Sequence, residues 1–579
     1  MKLRSLRFCF LCVLGASVVN AFSLDREAFT FTNYDLNVRV EPAQQRLGVR
    51  GKITLRNDST ASQKIAILQI SSSLNWRSIK AAGKQLQFVS QPYASDIDHT
   101  GALSEAVVTL PEAVSPKGTI DLEIAYEGVI VLDATRLTRI GTPEAAARST
   151  DWDQISAKFT AVRGAGYVAW YPIGTEAASF SEGNDLFEVL GRWKVRESSS
   201  TMHLQVVVSS DDEADQPELL VNATSCPTAH EVERQFVADC TYRSPQSVAP
   251  TFVIANYELV DRPAAAVHFL RGHDSSATSC ADAAQKLIPF ITEWFGPPRS
   301  KAQTADLADT AAAPFESGPL LLTSLASTDP KLAALSAAHQ LTHAAFSSPR
   351  PWINEGLAHF AQALYLEHQS GRQAALDYMG LHRPAFAGAP VEKEKEANPP
   401  RSDDERYRSL INTYDEQLYR SKAMCVWWML RDMIGDQALK KALASYHPEE
   451  DKEPSYMQRL IQAQTQKDLE WFFDDWVYRD RGLPDFKMAS AFTRKTLPGA
   501  YMLTITVDNL GTAAAEVPLT VKFAGGEVTK RLVVRGKSNG VIRVEVPKTP
   551  EEVVVNDGSV PEVNKTNNVF KIEAGGATR

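Results

Sequence analysis

The chain has 579 residues, 44% of them hydrophobic and 23% charged, and a formal net charge of −9. That length exceeds what a single core serves, and the composition is that of ordinary globular domains, which excludes collagen-like and disordered chains. Mild acidity argues against nucleic acid as the partner.

The first 21 residues read as an export signal, with Lys2, Arg4 and Arg7 ahead of an apolar run, Phe8–Val19, and a small-residue cleavage site at Val19-Asn20-Ala21. Removing them takes away three positive charges and no negative ones, so the formal charge becomes −12. No later stretch is apolar over the roughly 18 residues that a membrane span needs. The mature protein is therefore expected to be periplasmic or extracellular, without a stable membrane span. In that setting Cys226 and Cys240, which flank a polar turn between strand-like runs, are expected to pair, and Cys280 and Cys425 either pair or stay thiols.

The hydrophobic period changes twice along the chain. Over residues 22–262 it is strand-like: Tyr34, Leu36, Val38 and Val40 alternate with polar residues, as do Val49, Ile53 and Leu55. An N-terminal antiparallel β-domain is expected there. Over 263–484 it turns helical, beginning with Asp282–Phe295, where Pro289 must kink or divide the helix. The charged, proline-broken stretch Val391–Tyr407 reads as an exposed loop. From 485 alternation returns around Leu503, Ile505 and Val507, and the turn Ala524-Gly525-Gly526-Glu527 follows Val517–Phe523, as in a small Ig-like β-sandwich. The fold class is multidomain α+β.

Chemistry concentrates between Ala337 and Phe360. His339 and His343 are four apart and share one helix face, on a helix that Asp329 caps and Pro330 opens, with Leu332, Leu335 and Phe346 continuing the inward stripe. Two imidazoles one turn apart suit tetrahedral Zn²⁺, and Glu355 on the next helix is the natural third ligand. His359, four after Glu355, is either a fourth ligand that would close the site or a packing residue.

This stretch resembles the zinc core of the gluzincin metallopeptidases, in particular the alanyl aminopeptidase and leukotriene hydrolase family, which carries H-E-x-x-H on one helix and N-E-G-x-A on the next. Here the two read H-Q-L-T-H and Asn354-Glu355-Gly356-Leu357-Ala358, and Tyr167–Pro172 is similar to an aromatic signature of the family's N-terminal β-domain. The resemblance implies a thermolysin-like, mainly helical catalytic domain over 263–484, with zinc held by His339, His343 and Glu355. It implies that Glu316, in A-P-F-E-S-G, binds a substrate's free amine, and that Tyr419 donates to the oxyanion, with Tyr414 as a rival. The family's general base, a glutamate, is Gln340 here. An amide cannot take a proton near neutral pH, and losing a general base costs roughly 10²–10⁴-fold in rate. Two readings stay open: an exported zinc metallopeptidase with activity weakened or lost, and a non-catalytic relative that keeps zinc and binds peptides or unfolded protein segments.

Overall fold

The computed structural model describes residues 24–572 except 183–184, 210–216, 224–225, 227–229, 233–234, 244, 246–247, 319, 327–328, 385–408, 412, 414–417 and 497–498. The export signal, the loop Val391–Tyr407 and Tyr414 lie outside the described residues.

The N-terminal part is built on an eight-stranded sheet. Phe29–Glu41 lies at its middle, with Tyr34, Leu36, Val38 and Val40 buried on one face as the alternation requires. The sheet is mixed rather than purely antiparallel, because Phe29–Glu41 pairs in parallel with Thr201–Ser209. Those strands are far apart in sequence, and only such a long connection permits parallel pairing. A second sheet, of three strands (Gln63–Ser71, Ala102–Val114 and Phe88–Ala94), shares the core. Trp170 and Tyr171 are fully buried there; the Trp170 indole donates to Pro250 O (3.2 Å), and the rings meet Tyr34 and Phe252 edge-on. The aromatic signature therefore does packing work. Cys226 and Cys240 are disulfide-bonded.

The next part opens not with helices but with a five-stranded sheet, in the order Glu258–Asp261, Ala265–Phe269, Ala302–Asp306, Leu320–Thr323, Phe315–Ser317. Its first hairpin straddles position 262. The three inner strands run parallel, and Phe315–Ser317 lies antiparallel on the edge. The helix between the strands, Asp274–Phe295, continues through Pro289.

Two helices then carry the motif. The histidine helix, Pro330–Ala345, starts at Asp329, whose carboxylate accepts the Lys331 N–H (2.8 Å). Leu335 and Phe346 are buried, but Leu332 is 61% exposed and departs from the expected inward stripe. Leu332 is in the first turn of the helix, ahead of the buried Ala333, Ala334 and Leu335. The glutamate helix, Pro351–Ser370, packs on Ala423–Ile434, with Trp352 and Trp427 stacked at 5.2 Å. A Cβ at Gly356 would sit 2.7 Å from that of Ala423, which explains glycine at this place in the motif. The C-terminal residues form one three-stranded and one four-stranded sheet, and their core is continuous with that of the helices.

Candidate metal centre

The two motif helices bring the three expected ligands together. His339 Nε2 and His343 Nε2 are 3.1 Å apart, and the Glu355 carboxylate lies 3.8 Å from the first and 3.5 Å from the second. Ligands at about 2.0–2.1 Å from a tetrahedral zinc stand about 3.3 Å from one another. The donor set fits that ion. Glu316, on the sheet edge, also reaches the cluster, with Oε2 3.4 Å from His339 Nε2 and Oε1 buried without a partner among the described residues.

The local electrostatics favour a metal as well. Burial pushes the pKa of His339 well below the usual histidine value, and that of His343 down too, so both rings are held neutral with a lone pair to offer. Burial alone would raise the Glu355 carboxyl, but Arg420, His343, His359 and Lys194 outweigh it and keep the pKa below the ordinary value. For Glu316, burial and the charge of Glu355 outweigh Arg420 and lift its pKa well above normal. Asn354 sits 3.2 Å from His343 Nδ1 and accepts the Ser348 N–H (3.1 Å), which fixes the ring's orientation.

Gln340 is next to His339 in sequence but is engaged elsewhere. Its Nε2 donates to Gln303 O (3.1 Å) and its Oε1 accepts from Thr304 Oγ1 (3.3 Å), both on the strand Ala302–Asp306. It lines a cavity of about 120 Å³ with Thr304, Ala337 and Cys280, which His339, His343 and Glu355 do not reach. Tyr419 is buried on a wide turn, Leu418–Lys422, that packs against the glutamate helix. Such π-type turns are frequent at functional sites.

Sequence reasoning missed two cations. Arg420, on that same turn, places Nε 3.2 Å from Glu355 Oε2. Lys194 comes from the helix Asp185–Arg196 of the N-terminal part and acts on Glu355. Arg420 adjoins Tyr419 in the sequence and could have been weighed with it; nothing local marks Lys194.

Residues 349–476 match the family model described as the peptidase family M1 domain. Over that stretch the match supports the M1 aminopeptidase-type gluzincin family that the motifs resemble, and with the donor set it supports a zinc metallopeptidase. Among solved structures the chain is similar to an M1 zinc metallopeptidase from Deinococcus radiodurans, with 16% identity and a TM-score of 0.45 over 79% of this chain and 95% of that one. It is similar also to a glutamate-to-alanine mutant of that protein, with 16% identity and a TM-score of 0.47 over 79% of this chain and 96% of the other. No curated protein matches the chain.

Proposed function

We propose that this chain is an exported M1-type zinc metallopeptidase whose hydrolytic step is weakened or lost at Gln340, and whose cleft takes peptides or unfolded protein segments. The observation that carries the reading is that Gln340, which follows His339 where the resembled motif has its proton acceptor, carries a carboxamide and is tied to Gln303 and Thr304 instead. His339, His343 and Glu355 would hold the metal, which when bound supplies a Lewis acid and an activated water. Glu316 would receive a peptide's free α-amine: its buried site favours the neutral acid until a cation arrives, and an ammonium group is such a cation. Tyr419 would donate a hydrogen bond to the developing oxyanion. Export is supported by the basic and apolar start of the chain and by the Cys226–Cys240 bond. Among the described residues no helix is long and apolar enough to cross a membrane.

The test is zinc content together with hydrolysis of a peptide library, in the wild type and in Gln340→Glu. About one zinc per chain is expected in both. Hydrolysis is expected to be roughly 10²–10⁴-fold faster in the variant, the range for a general base. A wild type that already turns over as fast as the variant overturns the reading, and so does a chain that takes up no zinc. A second reading, slow hydrolysis through another base, is favoured by the Glu316 carboxyl 3.4 Å from His339. In that case Glu316→Gln abolishes whatever activity the wild type has.

A further inference from the structure

The strand that carries Glu316 has little of its own to hold it. Phe315–Ser317 is three residues long, lies at the edge of its sheet and pairs on one side only, with Leu320–Thr323. Side chains alternate along a strand, so Glu316 turns toward His339 while Phe315 turns the other way, into a cluster that it shares with Trp152 and Tyr167 of the N-terminal part. The run-in to the strand is tied to that same part. The Ala313 N–H donates to Ser149 O (2.7 Å), and Ala313 O accepts from the Trp152 indole (2.9 Å). Arg163 stands at the centre of this contact. Its guanidinium carbon lies 3.8 Å from the ring centre of Trp152, 3.7 Å from that of Tyr167 and 5.4 Å from that of Phe315, and Tyr167 meets Phe315 edge-on at 5.3 Å. Both oxygens of Asp153 accept from the guanidinium, Thr150 O accepts from its Nη2 (2.7 Å), and both charged side chains are buried.

Buried ion pairs often stabilise a fold no more than apolar side chains of the same volume would, and their better-attested use is to fix one geometry. A carboxylate that must receive an ammonium group needs such fixing, because a misplacement of about 1 Å can cost roughly 100-fold. We propose that Arg163 is a positioning residue for Glu316: through its stack with Tyr167 and Phe315 it holds the edge strand against the N-terminal part, and so sets how strongly the cleft prefers a free α-amine. The inference rests on the reading of Glu316 given above and deepens it. The N-terminal part then takes a share in substrate choice.

The experiment is calorimetry of trialanine and of N-acetyl-trialanine binding to the full-length chain in the presence of zinc. The variants are Glu316→Gln, Arg163→Met, which keeps a long side chain between the rings without its charge, and Arg163→Lys, which keeps the charge. Phe315→Leu takes the place of Arg163→Met if the latter loses the wild-type circular dichroism. The wild type is expected to bind the free-amine peptide roughly 10–100-fold more tightly than the acetylated one, the worth of a hydrogen bond to a charged group, and Glu316→Gln to abolish that margin. Arg163→Met should lose most of the margin while its affinity for the acetylated peptide stays the same, and Arg163→Lys should keep more of it. If both affinities fall together instead, the stack only supports the fold and the inference is overturned. A margin of wild-type size in the variant that replaces Arg163 or Phe315 also overturns it, and leaves the reading of Glu316 standing. A wild type that shows no margin overturns both.

Discussion

Gln340 links the histidine helix to the sheet beneath it through one donated and one accepted hydrogen bond. Replacing its amide with a carboxylate keeps the Thr304 bond, but Gln303 O loses its donor in a buried place. Gln340→Glu is therefore expected to lower stability by about 1–3 kcal/mol, the cost of an unsatisfied buried group. Urea unfolding of the metal-free chain measures this, and an unchanged midpoint would mean that the amide is not anchored there. His343→Ala is expected to lose stoichiometric zinc, as read by metal analysis after dialysis. The histidine pair was legible because residues four apart share a helix face, and Glu355 because it stands in the N-E-G-L-A stretch on the next helix. Lys194 was not, since its charge acts on Glu355 from a helix more than a hundred residues upstream, and no local pattern encodes that influence.

The helices were legible in outline and the five-stranded sheet was not. Ala265–Phe269 is buried along its whole length and Phe315–Ser317 is only three residues long, so neither shows the alternation that reveals a half-buried strand. The cap at Asp329 was readable, because its chemistry is local. Asp329→Ala is expected to cost about 1 kcal/mol and to lower the melting temperature accordingly. Packing between the glutamate helix and Ala423–Ile434 sets a stricter demand. Gly356→Ala would force a methyl group to within 2.7 Å of Ala423 Cβ, and a destabilisation of about 1–3 kcal/mol is expected. Ala423→Gly in the same chain should recover part of it, since the Trp427 ring still stands 3.0 Å from the added methyl. If the double mutant is no more stable than Gly356→Ala, the close approach is not what selects glycine.

For the whole molecule, the C-terminal part with its two sheets holds a pH-sensitive group. Glu562 is fully buried, and its carboxylate accepts from Asn556 and Asn568, each at 2.6 Å. Burial outweighs these bonds and raises its pKa to about 7. A carboxyl raised on folding adds stability that is complete below its unfolded pKa, near 4.5, and is lost as the pH climbs through about 7. The melting temperature is expected to fall between pH 5 and 7.5, and Glu562→Gln should flatten that slope. This same part is not an appendage. The Trp476 indole donates to Ala514 O (2.8 Å) and Asp475 accepts the Ala514 N–H (2.8 Å), while Val477, Phe486, Val517 and Trp427 belong to one uninterrupted apolar interior.

That shared interior bears on how the protein can be cut down. A gene truncated after Pro484 would leave the last helical turns facing water with the apolar side chains that now press against the C-terminal sheets, and its product is expected in inclusion bodies. A form that keeps both C-terminal sheets is expected to express with the metal centre intact.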